Sequence, residues 1–360
     1  MSTIERALAS IRPIREIIEI PGADRVAIAR VDDWTCVVAK EDFQVGDLCV
    51  FFEVDSHLPP DDERYAFLEK ETRTGQNGRT GPRIKTKKFF KGMYLSQGLA
   101  MPLSSFPELE PDDDLPFSLV AGRDVTELLN VWKYEPPERQ SGGVNAGKPK
   151  GNFPAFVQKT NKVRAQNLPW VYADTTTEYE VTVKRDGSSL TAYHYKVEED
   201  DVRTGVCARN FDLKEDGGGN FWLMAKKYSL IEALTAAYSR FGWSLAFQGE
   251  VFGPGIQGNP EKIEELTFEL FDMFNISEGC YLTPVERYQV LDYLHLVGYK
   301  VQHVPILEIA TMAKYPNLQA LQDAILADKP RTKEGWVFKA LNGKTSFKVI
   351  SNEYLLKQKD

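Results

Sequence analysis

The first 130 residues alternate apolar and polar positions in short runs, the pattern of half-buried β-strands. Turn segments such as PGAD and FQVGD separate the runs. The five clearest runs are IREIIEI, RVAIARV, WTCVVAK, DLCVFFEV and GLAMPL. This pattern predicts a small all-β barrel over residues 1–130, and a five-stranded OB-fold fits it.

The pattern changes twice beyond that region. Residues 131–155 include YEPPERQSGGVNAGKPKGN, which is rich in Gly and Pro and predicts a linker. Residues 156–360 mix strand patterns with helical ones, which predicts an α+β domain. The strand patterns are EYEVTVK, LTAYHYKV, SLAFQGEVF, LTFELFDMF, GWVFKAL and SFKVI, and the helical ones are MAKKYSLIEALTAAYSRF and VERYQVLDYLHLV.

Composition narrows the class of protein by exclusion. The 360 residues are 42% hydrophobic and 27% charged, which is ordinary for a globular protein. No uncharged apolar run is long enough to span a bilayer, so we expect a cytoplasmic protein without a membrane partner, with monomer as the default state. The four cysteines and four histidines are scattered, which indicates neither a disulfide framework nor a zinc site.

The charge distribution leaves room for nucleic acid in one place. A net charge of -8 argues against a protein that coats nucleic acid over its whole surface. From Arg79 to Lys91, however, RTGPRIKTKKFFK contains six basic residues, two phenylalanines and no acid. Basic side chains neutralise phosphates and aromatic rings stack on bases, so this segment is a candidate nucleic-acid surface; the alternative is a solvated loop.

Two glycine-rich matches to nucleotide-binding motifs are better interpreted as loops. GGVNAGK, from Gly142 to Lys148, has the spacing of a phosphate-binding loop, but Pro149 stands where Ser or Thr would hold magnesium. GPGIQG, from Gly253 to Gly258, follows a strand, but too few residues separate it from the next strand for a crossover helix.

Isolated charges interrupt several of the apolar strand patterns. Lys184, Glu250, Asp272, Glu334 and Lys348 each lie in or beside a strand. Any one of them could lie on the wet face of a half-exposed strand, but together they predict convergence on one site. Lysines and carboxylates without histidine or cysteine suit phosphoryl chemistry, because carboxylates hold Mg²⁺ and lysine neutralises phosphate or acts as the nucleophile itself.

These residues carry a resemblance to a known family. Lys184-Arg185-Asp186-Gly187 resembles motif I, KxDG, of the covalent nucleotidyltransferases, which include polynucleotide ligases and mRNA capping enzymes. The family's other motifs follow in order: motif Ia at CARN (207–210), motif III at GEVFGPGIQ (249–257), motif IIIa at FDM (271–273), motif IV at EGWVFK (334–339) and motif V at SFKVI (346–350). The GEVFGPGIQ form and the N-terminal strands resemble the ATP-dependent RNA ligases of the Deinococcus and Naegleria type, which carry an N-terminal OB domain.

The resemblance implies a fold and an activity. The fold would be an OB-fold β-barrel followed by a nucleotidyltransferase domain of mostly antiparallel sheets flanked by helices. The activity would be ATP-dependent joining of 3′-OH and 5′-phosphate RNA ends through lysyl-AMP and RNA-adenylate, on RNA or an RNA-containing duplex with a nick. The implied cofactors are ATP and Mg²⁺ or Mn²⁺.

The resemblance also implies residue roles. Lys184 would be the nucleophile, Glu250 would bind the ribose, and Asp186 and Glu334 would hold the water shell of the metal. Arg209 and Lys348 would contact ribose or phosphates. The adenosine pocket would be formed by Phe271, Val337, Gln166 and Asn167.

The sequence departs from the family pattern at two positions, and alternatives stay open. Many RNA ligases have a lysine where motif V here has Ile350, and often a glutamate where Val183 precedes the nucleophile. A DNA ligase or mRNA guanylyltransferase would use the same lysine but would carry a further OB domain after motif V. A binding module without catalysis is the third alternative, and the filled motif positions disfavour it.

Overall fold

The computed structural model describes residues 6–75, 78–109, 120–135, 147–328 and 334–357. Their contacts divide them into two compact units. The first unit contains the described residues up to 135, together with Ala165–Pro169 and residues 355–357. The second contains residues 147–164 and the described part of Trp170–Tyr354. The stretch 136–146 of the predicted linker, with most of GGVNAGK, lies outside the described residues, so the domain boundary stays a prediction.

The first unit is built from short strands and 3-10 turns. Its strands are β1 (Ala9–Glu19), β2 (Val26–Val31), β3 (Trp34–Ala39), β4 (Leu48–Phe52), β5 (Ser56–His57), β6 (Thr72–Thr74), β7 (Thr80–Pro82), β8 (Thr86–Phe89), β9 (Tyr94–Gln97), β10 (Leu99–Pro102) and β11 (Trp132–Lys133). Its 3-10 helices are Glu63–Glu71, Phe90–Gly92, Leu103–Ser105 and Pro107–Leu109, with Ala165–Asn167 in the later segment.

The principal sheet of this unit has the strand order β10-β4-β1-β2-β3. The long strand β1 pairs with β4 through its first half and with β2 through its second half, and a β-bulge lies between Ile14 and Glu16. A bulge bends a strand and increases its twist, so one strand can join two parts of a curled sheet. All five strands predicted from the alternating pattern are present in this sheet, as an OB-fold requires.

Over the described ranges, the second unit contains twelve strands, four α-helices and the first three residues of a fifth. Its strands are β12 (Pro149–Asn152), β13 (Val163–Arg164), β14 (Tyr179–Lys184), β15 (Ser188–Lys196), β16 (Val202–Cys207), β17 (Phe211–Leu213), β18 (Leu245–Phe252), β19 (Thr267–Asn275), β20 (Cys280–Tyr281), β21 (Ile306–Ala310), β22 (Gly335–Ala340) and β23 (Ser346–Ile350). Its helices are α1 (Asn220–Lys227), α2 (Leu230–Phe241), α3 (Pro284–Leu296), α4 (Leu318–Ala327) and α5 (Asn352–Lys357), with 3-10 turns at Pro169–Ala173 and Glu215–Gly217.

Two sheets organise the second unit. One has seven strands in the order β12-β17-β16-β15-β18-β19-β20, and the other has five in the order β13-β23-β22-β14-β21. Every pairing is antiparallel except that of β13 with β23. A hydrophobic core joins the seven-stranded sheet to residues of α1, α2 and α3. The α+β class is therefore confirmed, with a mostly antiparallel second unit.

The helices differ from the sequence prediction in two respects: α4 and α5 were not predicted, and one predicted helical stretch is divided. The pattern from Met224 to Phe241 predicts one helix, but the chain forms α1 and α2 because Ser229 adopts a left-handed conformation, with φ 50°. Helix α3 begins as its sequence suggests, with a capping box between Thr283 and Glu286. No helix in the described ranges is long and apolar enough to cross a membrane.

Candidate active site

Lys184 is the last residue of β14, and strand register places it beside motif IV. The antiparallel pairing of β14 with β22 sets Lys184 opposite Gly335, so that Glu334 lies next to it. Lys184 Nζ lies 2.6 Å from Glu334 Oε2. A Cβ atom at Gly335 would come within 2.1 Å of the Val349 carbonyl oxygen, so close packing of β22 on β23 leaves room only for glycine. The sequence thus brings two residues 150 positions apart into direct contact.

The turn after Lys184 approaches β18 closely. The backbone N–H of Gly187 donates to Glu250 Oε1 at 3.1 Å. A Cβ atom at Gly187 would lie 2.3 Å from the Val251 carbonyl oxygen, so a side chain there would push the turn away from β18. The glycine of KxDG therefore allows the turn to come close enough to hold Glu250.

The charges around Lys184 favour its protonated form. Burial alone would lower the pKa of the ammonium group, but the negative charges of Glu334, Glu250 and Asp186 outweigh burial and leave the pKa raised. In the protein without nucleotide, Lys184 is therefore an ammonium group in an ion pair. Chemistry at Nζ requires a change in its surroundings that releases the proton.

The three carboxylates of the site disfavour one another's ionised forms. Burial, opposed by Lys184 but reinforced by Glu334 and Asp186, raises the pKa of Glu250 to about 8. Burial also raises the pKa of Glu334, with Asp186 contributing, and the pKa of Asp186. This excess of negative charge fits a divalent cation. Over the described ranges, no group of three or more His, Cys, Asp or Glu side chains forms a direct metal cage.

The predicted nucleotide-binding residues of the second unit lie on its sheets or just beyond a strand. Phe271 lies at a β-bulge, where Asp272 and Leu270 pair with adjacent residues of β18 and Phe271 has no partner in the register. Bulges often redirect a side chain beside an active site. Val337 pairs with Lys348 across β22 and β23, and the positive charge of Lys348 opposes part of the rise that burial causes in the pKa of Glu334. Arg209 follows β16 and is exposed.

Gln166 and Asn167 belong to the first unit and not to the unit that contains Lys184. Asn167 Oδ1 accepts hydrogen bonds from Trp34 Nε1 at 2.7 Å and Arg12 Nη1 at 2.9 Å, and its Nδ2 donates to Glu53 Oε1 at 2.6 Å. Glu53 is 1% exposed and also pairs with Arg12 at 3.0 Å. The Asn167 side chain therefore fastens its segment to the barrel, and a role for both residues at adenosine stays a prediction.

Asp272, one of the isolated charges of the sequence, belongs to a separate buried cluster. Its carboxylate lies 2.9 Å from Lys339 Nζ and 3.1 Å from Lys162 Nζ. Arg287 donates to both oxygens of Glu180, at 2.6 and 2.7 Å, and both side chains are fully buried. Sequence reasoning missed this cluster, because its five members come from five separate segments.

Tyr354 is a further residue of the site that the sequence did not reveal. It lies on α5, and its hydroxyl donates a hydrogen bond to the Asp186 carboxylate. This hydrogen bond opposes the effect of burial on the pKa of Asp186. The helix was not predicted, and a tyrosine near the end of a chain carries no signal of its own.

The basic segment from Arg79 to Lys91 is less uniformly positive in the structure than in the sequence. Arg83 pairs with Asp55 at 2.8 Å, and Lys87 and Lys85 lie 2.9 and 3.8 Å from Glu71. Lys88 is exposed on β8, and the side chain of Lys91 lies outside what the structure describes. A nucleic-acid surface here stays a prediction, with part of its charge already neutralised.

Comparison with known proteins agrees with this architecture. An OB-fold domain model matches residues 8–103, and an RNA ligase family model matches residues 177–350. No curated protein sequence matches the chain. Among solved structures, Naegleria gruberi RNA ligase with pyrophosphate is 39% identical, with a TM-score of 0.84 over 98% of this chain and 99% of that one.

Two further structures are of variants of the same Naegleria gruberi enzyme. A lysine-to-methionine variant with AMP and Mn is 40% identical, with a TM-score of 0.83 over 99% of this chain and 100% of that one. A lysine-to-alanine variant with ATP and Mn is 40% identical, with a TM-score of 0.83 over 98% of each chain. An OB-fold unit, a match to the RNA ligase family model and 39–40% identity over nearly the whole length together define an RNA-joining enzyme. The chain belongs to the RNA ligase family.

Proposed function

We propose that this enzyme is an ATP-dependent RNA ligase that seals 3′-OH/5′-phosphate breaks, and that nicks in duplex are its substrate. The observation that carries the proposal is the position of Lys184, 2.6 Å from Glu334 and within the field of Asp186 and Glu250. A lysine that lies among carboxylates at the end of a β-strand suits covalent nucleotidyl transfer. The relatives of known structure contain ATP or AMP with Mn, and we propose ATP and Mg²⁺ or Mn²⁺ as cofactors here.

In the first step, Lys184 attacks the α-phosphorus of ATP. The ammonium gives its proton to Glu334, whose pKa is raised by burial, which suits that carboxylate to accept it. The Nζ–P bond forms, the bond from the α-phosphorus to the bridging oxygen breaks, and pyrophosphate leaves with the electron pair. A bound divalent cation near Asp186 and Glu334 would neutralise phosphate charge and lower the pKa of Lys184.

The second and third steps transfer AMP and then displace it. An oxygen of the RNA 5′-phosphate attacks the AMP phosphorus, the Nζ–P bond breaks, and Lys184 regains a proton. The 3′-OH then attacks the activated 5′-phosphorus and loses its proton, and AMP leaves. Within this scheme we assign the ribose to Glu250, adenine to Phe271 and Val337, and phosphates or ribose to Arg209 and Lys348.

Radioactive labelling tests the first step. The enzyme and the variant Lys184→Ala are incubated with α-³²P-ATP or α-³²P-GTP and a divalent metal, then separated on a denaturing gel. We expect label from ATP that is absent in Lys184→Ala and is discharged by pyrophosphate. Label from GTP instead would favour a guanylyltransferase, and the absence of label from either nucleotide would contradict the proposal.

Defined substrates test the later steps and the choice of nucleic acid. A pre-adenylylated nicked RNA duplex supplies the product of the second step, so Lys184→Ala should still seal it. Three substrates are compared: a nick with an RNA 3′-OH strand, the same nick with a DNA 3′-OH strand, and a single-stranded RNA. We expect the nick with the RNA 3′-OH strand to be sealed faster than the other two. Equal sealing of the DNA 3′-OH strand would contradict an RNA-specific ligase.

A further inference from the structure

Arg185 occupies the variable position between the nucleophile and Asp186, and its side chain is only 16% exposed. Its guanidinium binds a carboxylate of β19: Nε lies 2.8 Å from Glu269 Oε2, and Nη2 lies 3.2 Å from Glu269 Oε1. Its Nη1 lies 3.3 Å from Glu261 Oε2. A planar guanidinium that holds one carboxylate through two bonds fixes orientation as well as distance.

Glu261 connects this ion pair to the backbone of the motif. Its other oxygen, Oε1, accepts the backbone N–H of Asp186 at 3.3 Å. Gln257, in the same loop, donates from Nε2 to the Gly187 carbonyl oxygen at 2.9 Å. The loop between β18 and β19, residues 253–266, therefore contacts three consecutive residues after Lys184.

The loop needs such contacts to keep its shape. Gln257, Asn259 and Lys262 adopt left-handed backbone conformations, with φ between 46° and 54°. Residues other than glycine adopt such conformations rarely and keep them only where the surroundings enforce them. Glu261 is 4% exposed, so the loss of Arg185 would remove one cation from beside a carboxylate in an enclosed place.

We propose that Arg185 is a positioning residue for adenylyl transfer. Through Glu261 it fastens the 253–266 loop, and through Glu269 it fastens β19, to the turn after Lys184, and so fixes Nζ relative to Glu250 and Glu334. The guanidinium of Arg185 is bound to the two glutamates. Arg185 therefore affects the rate of lysyl-AMP formation more than the affinity for ATP. The inference rests on the proposed function, since it assigns a role within lysyl-AMP formation.

Single-turnover kinetics of lysyl-AMP formation test this role. The wild type, Arg185→Ala and Arg185→Lys are compared over a range of ATP concentrations, with rates normalised to the folded fraction measured by circular dichroism. We expect Arg185→Ala to lower the maximal rate about 10- to 100-fold, because small misplacement of a reacting group is that costly. The half-saturating ATP concentration should change by less than about threefold. Arg185→Lys keeps the charge without the two-bonded geometry and should give an intermediate rate.

The matched control is Arg203→Ala. Arg203 pairs with Asp201 at 2.7 Å, but both side chains are largely exposed and neither belongs to the motifs. This variant should form lysyl-AMP at the wild-type rate. A second test exchanges the charges: Arg185→Glu combined with Glu269→Arg should recover part of the rate lost in Arg185→Glu alone.

The outcomes separate the two proposals. If the wild type forms lysyl-AMP and Arg185→Ala forms it at the same normalised rate, the positioning role is wrong and the proposed function stands. The positioning role would also be overturned if Arg185→Ala changed only the folded fraction, or only the half-saturating ATP concentration, and left the maximal rate unchanged. If the wild type forms no lysyl-AMP, the proposed function fails, and this inference fails with it.

Discussion

At the scale of single residues, the proposed nucleophile, Lys184, rests in its protonated and less reactive form. Lys184 must lose a proton to attack phosphorus, yet Glu334 at 2.6 Å stabilises the ammonium group. The same contact keeps the amine from unwanted reactions and places a proton acceptor beside it. The pKa of Glu250, raised to about 8 mainly by burial, is a second sign that the site without nucleotide holds more carboxylate than it can ionise.

The raised pKa of Glu250 predicts how stability depends on pH. The folded protein binds this proton more tightly than the unfolded chain, in which the pKa is near 4.5. The resulting stabilisation is fully present below about pH 4.5 and is lost as the pH rises through about 8. Urea denaturation of the nucleotide-free enzyme should therefore show a greater loss of stability across this interval than Glu250→Gln shows. Parallel curves for the two proteins would contradict the raised pKa.

At the scale of elements, the register between paired strands brings most of the site residues together. The sequence predicts these strands, because alternating apolar positions and β-branched residues give a strong strand signal. It does not predict that β14 pairs with β22 or that β15 pairs with β18. Strand β21 was missed because its sequence, ILEIA, carries a charge and is short. The partners of Arg185 lie 76 and 84 residues away, and no local pattern could indicate them.

Tyr354, on helix α5, is expected to influence the pH dependence of lysyl-AMP formation. Its hydroxyl lowers the pKa of Asp186 against the effect of burial, so Tyr354→Phe should raise that pKa further. We expect the acid limb of the pH profile for lysyl-AMP formation to move to higher pH. The rate at neutral pH should fall about tenfold, since a hydrogen bond to a charged group contributes about 1.5 kcal/mol or more.

A matched tyrosine distinguishes this effect from a general loss of packing. Tyr193 also donates its hydroxyl to a carboxylate, that of Asp212 at 3.1 Å, in the same unit. Tyr193→Phe should leave the pH profile in place. An unchanged profile in Tyr354→Phe would show that Asp186 does not depend on α5.

The ion pair between α3 and β14 predicts a large loss of stability. Arg287 and Glu180 are both fully buried, and Arg287→Ala would leave the Glu180 carboxylate without its nearest cation. Breaking a buried pair in this way costs about 3–5 kcal/mol of unfolding free energy. Urea denaturation should show this loss, whereas Arg203→Ala, which breaks an exposed pair, should leave the midpoint close to that of the wild type. A small effect in Arg287→Ala would mean that water or another group replaces the arginine.

At the scale of the whole molecule, a chain of net charge -8 must bind a polyanion through a local surface. Because Arg83, Lys85 and Lys87 already lie near Asp55 or Glu71, we expect exposed Lys88 to contribute more to phosphate binding than they do. Lys88→Ala should weaken RNA binding and reduce the slope of log K against log salt by about one. Filter binding at several salt concentrations measures the slope.

The control for this prediction is another lysine of the first unit. Lys40 directly follows β3, pairs with Glu19 at the end of β1 and lies outside the basic segment, so Lys40→Ala should leave the salt slope unchanged. Equal slopes for Lys88→Ala and the wild type would show that Lys88 on β8 does not contact the RNA backbone.

The path of the chain has a consequence for dividing this protein into parts. The chain leaves the first unit, returns to it at Ala165–Pro169 and leaves again before β14. On its return, Asn167 satisfies Trp34, Arg12 and Glu53, which are buried or nearly so. No single cut can therefore yield two intact pieces. A ligase fragment made by removing the barrel would keep five residues whose contacts are with the barrel. A barrel expressed alone would leave the Glu53 carboxylate without its Asn167 donor and the Trp34 indole without its Asn167 acceptor.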